Sequence, residues 1–358
     1  MDLYLDYLIT STSLTTSTGL SKVTDNAVSH DKITRFLSSK IDTSAELWRY
    51  GKSYCREIED EEGTLAVDDS VLHKPYTDEN EIIAWHHDHS TGKSVKGINF
   101  ITALYVTDKG NLPIGYELID KTEKYIDKKT GKEKRKSKKT KNERFQDLVK
   151  SAVENKVKFK NVVADSWFSS ADNMIFIHDK MKKTFVMPIK SSRLISLVED
   201  GKISENYVGI DSVKPGENKL VRLKDVDFTL RFYRQVFKNG DGVTVILDLV
   251  SNNLELTNEQ IGEIYHKRWT IEIYHESLKN NVSLEKSPTK TVQTQSNHIF
   301  ASLCGYIRLE RISKQAKTNH FALKAKIYIE ALKIAFKELS RLSFTRNLQL
   351  EDLIQVTA

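Results

Sequence analysis

Between residues 63 and 189 the chain switches repeatedly between two hydrophobic periods, and the order of the switches constrains the fold more than any other feature. TLAVDD, INFITALYVT and LPIGYELI are β-branched or aromatic runs separated by polar turns, which read as three successive strands in an antiparallel meander. The pattern then predicts a helix over 143–153, a strand at NVVADS, a helix over 169–181 and a strand at TFVMPI.

Strand, strand, strand, helix, strand, helix, strand is the element order of an RNase H-like core, an α/β fold whose mixed sheet is flanked by helices. Residues 190–253 are again strand-rich. Phe228, Leu230 and Phe232 alternate with Thr229, Arg231 and Tyr233, and the turn Asn239-Gly240-Asp241-Gly242 leads into VTVILDLV, so a β-hairpin in a separate insert is expected. Thr257 and Glu259 open a helix expected to reach about residue 281, with further helical patterns at 295–313 and 321–341. In the first sixty residues, a helix at 19–24, a turn at 26–29 and a second helix at 30–39 have the proportions of a helix-turn-helix or of a small helical cap. Lys32, Arg35 and Lys40 would give the second helix a basic exposed face. Four segments follow: an N-terminal helical DNA-binding region (1–60), the first part of the core (61–189), a β-rich insertion (190–256), and the remaining core helices (257–358).

With 358 residues, of which 39% are hydrophobic and 29% charged, a sizeable core is expected. The net charge of +6 is compatible with a polyanionic partner without requiring one. Its distribution is more telling, because the run 121–142 holds eleven Lys or Arg against Glu123, Asp127 and Glu133, a net 11 − 3 = +8 that reads as a mobile, solvated loop. Cys55 and Cys304 stand far apart and suggest neither a disulfide framework nor a zinc site. The first residues lack a secretion-signal pattern and no segment is apolar for the length of a membrane span, so a cytoplasmic protein is expected.

Two of the strands end in acids, LAVD at Asp68 and VVAD at Asp165, which would project from neighbouring strand ends of one sheet. Taken singly, an Asp at a strand end is more often a turn or cap residue. On the helix from 257, Tyr265, Arg268, Glu272 and Lys279 fall at roughly 0°, 300°, 340° and 320° around the axis, one stripe of about 60°. Three acids and two cations from separate elements suit metal-dependent phosphate chemistry, since hard divalent ions take oxygen ligands. Geometry alone leaves Asp69 in competition with Asp68, and Glu276 with Glu272. The cluster His86-His87-Asp88-His89 could bind zinc, but adjacent residues rarely converge on one ion, and a polar loop bordering the site is the better reading.

The segment YHKRWTIEIYHESLK resembles the Tyr-x2-Arg-x3-Glu-x6-Lys signature of one group of DDE transposases from bacterial insertion sequences, with every spacing kept and the RW-IE and LK context matching. The strand-end patterns Asp68-Asp69-Ser70 and Ala164-Asp165-Ser166 are similar to those that hold the family's first and second acids. The resemblance covers nearly the whole chain. It implies an RNase H-like catalytic core and assigns Asp68, Asp165 and Glu272 as the catalytic acids and ligands of two Mg²⁺ (or Mn²⁺) ions. Tyr265, Arg268 and Lys279 would contact phosphates near a transposon end, and Lys32 and Arg35 would contact DNA. It further implies binding to inverted repeats in double-stranded DNA, hydrolytic cleavage, attack of the freed 3′-hydroxyl on target DNA, a homodimer in the synaptic complex, and nucleoid association. The alternatives are an RNase H-like nuclease without strand transfer and an inactive DNA-binding derivative. Some relatives carry a Trp in the insertion to stack on a flipped base. Here the tryptophans are Trp48, Trp85, Trp167 and Trp269, leaving Tyr207, Phe232 or Tyr233 for that part.

Overall fold

The sheet is assembled around β1 (Thr64–His73), a strand buried along its first half because Leu65, Ala66 and Val67 have no exposed surface. The computed structural model describes residues 1–40, 43–88, 92–128, 130–238, 240 and 242–342. Four helices precede β1: α1 (Asp2–Thr10), α2 (Ser17–Val23), α3 (His30–Leu37) and α4 (Ser44–Ile58). The turn between α2 and α3 takes Asp25 and Asn26 to φ of 50° and 62°, left-handed values that these two residue types tolerate best after glycine. Thr43 and Glu46 close a reciprocal cap at the start of α4.

After β1 come β2 (Ile83–Asp88), β3 (Lys93–Thr107) and β4 (Gly110–Leu118), each antiparallel to its partner. The three expected meander strands are present, and β2 is an additional one that pairs with the first part of β3. Gly97 is required where β3 crosses β1, because a Cβ there would come within 2.2 Å of the Leu72 carbonyl oxygen. The run 121–142 differs from the expected mobile loop. It folds into a two-stranded ribbon, β5 (Glu123–Ile126) and β6 (Glu133–Lys136), laced by Lys124–Glu133 at 3.0 Å, Lys134–Asp127 at 2.6 Å and Lys136–Glu123 at 3.4 Å. The few acids in the run lie on the strands or at the turn where they neutralise part of the lysine charge. That local compensation is what a net count conceals.

Helix α5 (Lys141–Glu154), capped reciprocally by Thr140 and Glu143, leads to β7 (Asn161–Ala164). Then α6 (Ala171–Ile175) continues through one π-helical turn at Phe176–Lys180 to β8 (Thr184–Pro188). Strands β7 and β8 run parallel to β1, while on its other side β3 runs antiparallel and β4, antiparallel to β3, runs parallel to β1 again, so the central order is β4-β3-β1-β7-β8. This mixed sheet with interposed helices agrees with the expected RNase H-like arrangement.

Residues 190–256 do not stand apart as a separate unit. Strands β9 (Leu194–Glu199), β10 (Lys202–Ile203), β11 (Val208–Gly209), β12 (Asn218–Leu223), β13 (Leu230–Lys238) and β14 (Thr244–Ser251) extend the same sheet, because β14 pairs antiparallel with β8. The β13–β14 hairpin is the one its alternation predicts, although residues 239 and 241 of its turn lie outside the described residues. The edge strand β8 left an open ladder, and backbone N–H and C=O groups there are satisfied by the incoming hairpin.

The chain returns through α7 (Asn258–His266), α8 (Trp269–Asn281), α9 (Val292–Gln315) and α10 (His320–Leu342). Helix α8 lies against β1 and α7 against β7, β8 and β13, while α4, α5 and α9 pack on β4. Helix α9 is the spine of this half of the molecule, buried on nearly every face from Thr294 to Ile307. No helix among the described residues is long and apolar enough to cross a membrane.

Candidate active site

Register places the two acids expected at strand ends. In the parallel pair β1/β7, Val67 lies opposite Ala164, so the next residues lie at one level. Asp165 stands just past the end of β7, and Asp68 lies within β1, which runs on to His73 instead of ending at the acid because its second half still pairs with β3. Such strands are about 4.8 Å apart. Asp165 is fixed by the turn after β7, where the Trp167 backbone N–H donates to its Oδ1 at 3.0 Å. Asp69 is turned to other partners: its Oδ2 accepts from Asn99 Nδ2 at 2.8 Å and from Lys141 Nζ at 2.7 Å.

The third acid comes from α8. The expected single helix over 257–281 is two helices, joined where Thr270 and Ile271 donate to the carbonyls three residues back, of Lys267 and Arg268. This tight turn removes the continuous stripe that a uniform helix would give. It places Arg268 at the joint, with its guanidinium 5.6 Å from the centre of the Tyr265 ring. From there Arg268 donates to Glu272 Oε1 at 2.6 Å and stands 3.8 Å from Asp68 Oδ2. The helix faces explain the choice of side chains, since Ile271, Tyr274 and Leu278 are buried against the sheet while Glu272 stays exposed beside them.

The electrostatics of this corner are dominated by burial and like charge. Burial, then the neighbouring Asp165 and Asp69, push the Asp68 carboxyl up to about 7, with Arg268 opposing the rise. Burial also raises Asp165, against the hydrogen bond from Trp167. Burial takes the Tyr265 phenol up to about 12, so it is a neutral hydrogen-bonding group at any physiological pH. Arg268 is thus the counter-charge of the site, and its Nε is buried without a hydrogen-bond partner.

Asp68, Asp165, Tyr265, Arg268 and Glu272 are therefore brought together, but the three carboxylates do not converge on one point. Among the described residues no three His, Cys, Asp or Glu side chains are grouped to hold a metal ion. Arg268 draws Glu272 to itself, as the repulsion between Asp68 and Asp165 would lead one to expect. Lys279 lies seven residues further along α8, about 10 Å by helical rise, and pairs with Glu285 at 3.6 Å. Lys32 and Arg35 are exposed on α3. His86 is buried and held at about 3 by burial and by Lys121 and Lys141, so it stays a neutral imidazole. His86 and His87 lie in strand β2, where alternation turns neighbours to opposite faces; Asp88 ends that strand, and His89 is outside the described residues. Of the aromatics in 190–256, Phe232 is fully buried and cannot stack on a base, whereas Tyr207 is 47% exposed.

Four residues that the sequence left unmarked help to shape the site. Asn99 and Lys141 hold Asp69 away from Asp68. Asn173, fully buried, donates to the Phe168 carbonyl at 2.9 Å and to Asn142 Oδ1 at 3.1 Å, tying the turn after Asp165 to the start of α5. Trp167 is the fourth. The SWFS segment beside Asp165 was the available signal, since two adjacent aromatics in a turn cannot both face the core.

A mixed sheet with two acids at one level of adjacent strands and an arginine facing one of them is an α/β arrangement suited to phosphate chemistry. The chain belongs to the DDE superfamily endonuclease family, whose model matches residues 1–205 and so includes Asp68 and Asp165 but ends before α8. No curated protein matches the chain. Among solved structures, the NurA nuclease from Sulfolobus solfataricus is similar at 10% identity, over 69% of this chain and 85% of that one, with a TM-score of 0.28, too slight a likeness to bear on the reading.

The family implies a divalent metal ion. The residues present fit one: the donors are hard carboxylate oxygens, and Asp68, raised to about 7 by burial and then by Asp165 and Asp69, marks a place where positive charge is favourable.

Proposed function

We propose that this chain is a DNA transposase that cuts double-stranded DNA at the ends of its own element and joins the 3′-hydroxyl ends to a target. The observation that supports it most is the Asp68–Asp165 pair at one level of adjacent strands, faced by an arginine that links Asp68 to Glu272 within the spacing of the transposase signature. Asp68, Asp165 and Glu272 would hold two Mg²⁺ or Mn²⁺ ions. Such ions, when bound, supply Lewis acidity at the scissile phosphate and lower the pKa of an attacking water.

The remaining chemistry belongs to the chain's own groups. The Trp167 N–H fixes the Asp165 carboxylate so that it need not reorganise during reaction. Arg268 can exchange Glu272 for a phosphate oxygen, using the planar fork that suits both anions. Tyr265 supports the guanidinium from below and offers a hydroxyl to the backbone. Lys279, Lys32 and Arg35 add phosphate contacts further along the duplex. Two ends must be joined, so a homodimer forms with DNA, and the protein works at the nucleoid.

The test supplies full-length protein with MnCl₂, a duplex carrying the flanking end sequence of its gene, and a supercoiled target plasmid. Cleaved ends and end-to-target joints are expected, both abolished in Asp165→Asn. Cleavage without joints would leave a nuclease. Neither product, with Asp165→Asn indistinguishable from wild type, would remove the enzymatic reading.

A further inference from the structure

A tryptophan beside the acids stands part-exposed at the edge of a lysine-lined cavity. The turn after β7 sends its two aromatics in opposite directions. Phe168 is fully buried and stacks on Phe145 of α5 at 5.2 Å between centroids, whereas Trp167 keeps 43% of its surface exposed. Two ammonium groups attend its ring, Lys141 Nζ at 5.8 Å and Lys190 Nζ at 5.4 Å from the centroid. Next to it opens a cavity of about 630 Å³ whose walls include Lys121, Lys139, Lys141 and Asn142. Lys139 pairs with Asp147 and Lys141 with Asp69, acids outside the lining, while Lys121 donates to the Trp85 carbonyl at 2.5 Å, so a bound phosphate would share these ammonium groups. That volume suits a single small ligand.

We propose that Trp167 and this lysine-lined cavity form a subsite for one unpaired nucleotide of the strand held at the acids, its base stacked on the indole and its phosphate among the lysines. The inference rests on the nucleic-acid reading given above and goes beyond it by naming where the strand runs. A planar apolar face ringed by cations matches a base joined to a phosphate, and base–aromatic stacking tolerates any sequence. The nucleotide must be unpaired, because in a duplex both faces of each base are covered by neighbours. The field within the cavity points the same way: Lys121 is held below its usual range by burial and by Lys141, a tension that a bound anion relieves. The connection to the acids is covalent and short, since the residue that presents the indole is the one whose N–H holds Asp165. The subsite lies on the core, at the foot of the β5–β6 ribbon, and not in residues 190–256.

The experiment uses full-length protein in EDTA, so that no cleavage intervenes, with a blunt duplex and the same duplex bearing a single-stranded tail that contains 2-aminopurine. Wild type is expected to bind the tailed duplex about tenfold more tightly than the blunt one and to quench the 2-aminopurine. In Trp167→Ala the ratio of the two Kd values should fall to about one, with the quench lost, and Trp167→Phe should keep most of both. A Trp167→Ala protein that retains the tail preference and the quench overturns the proposal. So does a wild type that binds both duplexes equally, a result that leaves the function itself standing. A wild type that binds neither duplex removes the function and the subsite together.

Discussion

At the scale of single residues, charge burial decides most of what can be tested. Asp68 has its folded pKa raised from 3.8 to about 7. A carboxyl raised in this way binds a proton in the folded state that the unfolded chain releases, so stability falls as pH rises from about 4 to 7, and the full cost is present above 7. Asp68→Asn should therefore stabilise the protein in EDTA at pH 8, by roughly 2 kcal/mol, raising Tm. Adding MnCl₂ should raise the Tm of wild type and leave that of Asp68→Asn much less changed, because ligand linkage needs the carboxylate. A thermal melt of both proteins with and without the metal checks this, and a lower Tm for Asp68→Asn in EDTA would contradict it.

Histidines give the opposite sign. His298 is fully buried between Tyr4 Oη, 2.9 Å from Nδ1, and the Ser283 and Leu284 carbonyls, each 3.1 Å from Nε2. The ring is neutral, donating from Nε2 and accepting at Nδ1, and burial lowers it from 6.5 to about 4. A base lowered in this way costs stability once the unfolded chain begins to bind protons, so stability is lost as pH falls from 6.5 to about 4 and levels off below. Burial places His275 at about 4 as well, adding to the same window. His298→Gln, which keeps a donor and an acceptor, should flatten part of that slope in urea melts taken between pH 7 and 4. An unchanged slope would mean the ring is protonated in the fold.

The elements show how far sequence could be read. The core strands, α5 and the β13–β14 hairpin were legible because their apolar periods report the burial of one face. The break between α7 and α8 was not, because a single 3₁₀-type turn leaves the apolar period almost unshifted while rotating Tyr265 relative to Glu272. Asp165 was legible as a strand end, whereas Asp68 was not one, since β1 continues to His73 through its pairing with β3; their being drawn to one corner depends on the parallel register of β1 and β7, a long-range pairing that no local signal encodes. The ribbon at 121–142 was misread for a third reason: its stability is external. Arg144 of α5, almost fully buried, pairs with Glu117 at 2.8 Å, with Asp120 and with Ser137 Oγ at 3.1 Å, pinning the foot of the ribbon to the end of β4. Arg144→Ala leaves two carboxylates without their partner and should cost about 3 kcal/mol or more in stability. Lys128 and Lys132 at the turn and Lys138 beside the foot are exposed and can meet DNA phosphates. Changing all three to Gln should leave Tm within a degree or two and reduce the slope of log K against log salt by up to about 3. An unchanged slope would mean the ribbon does not touch the duplex.

At the scale of the whole molecule, the question is whether the N-terminal segment is a detachable DNA reader. Helices α2 and α3 have the expected positions, but α1 and α4 belong to the body of the fold. Tyr4, Leu5, Tyr7, Leu8 and Ile9 are all buried, and α1 packs on α9 and α10. Its end is tied to the C-terminal half by Ser283 Oγ donating to the Leu8 carbonyl at 2.8 Å and by Lys324 Nζ donating to the Ile9 carbonyl. Lys324 is lowered to about 8 by burial, and the same ammonium donates to Asn281 O at 3.2 Å. Five buried apolar side chains at about 1.5–3 kcal/mol each come to roughly 7–15 kcal/mol, comparable with the whole stability of a typical domain. A chain lacking residues 1–12 should therefore fail to fold cooperatively, read as loss of the thermal transition and of near-ultraviolet circular dichroism. Leu8→Ala should cost about 2–5 kcal/mol and serves as the graded version. If the segment were instead a free-standing reader, the truncated chain would melt as wild type does and still cut DNA, only without preference for its own ends. The packing of α1 on α9 requires the first outcome, because its loss strips one side of the buried spine on which the C-terminal half is built and leaves the fully buried His298 without its Tyr4 hydroxyl.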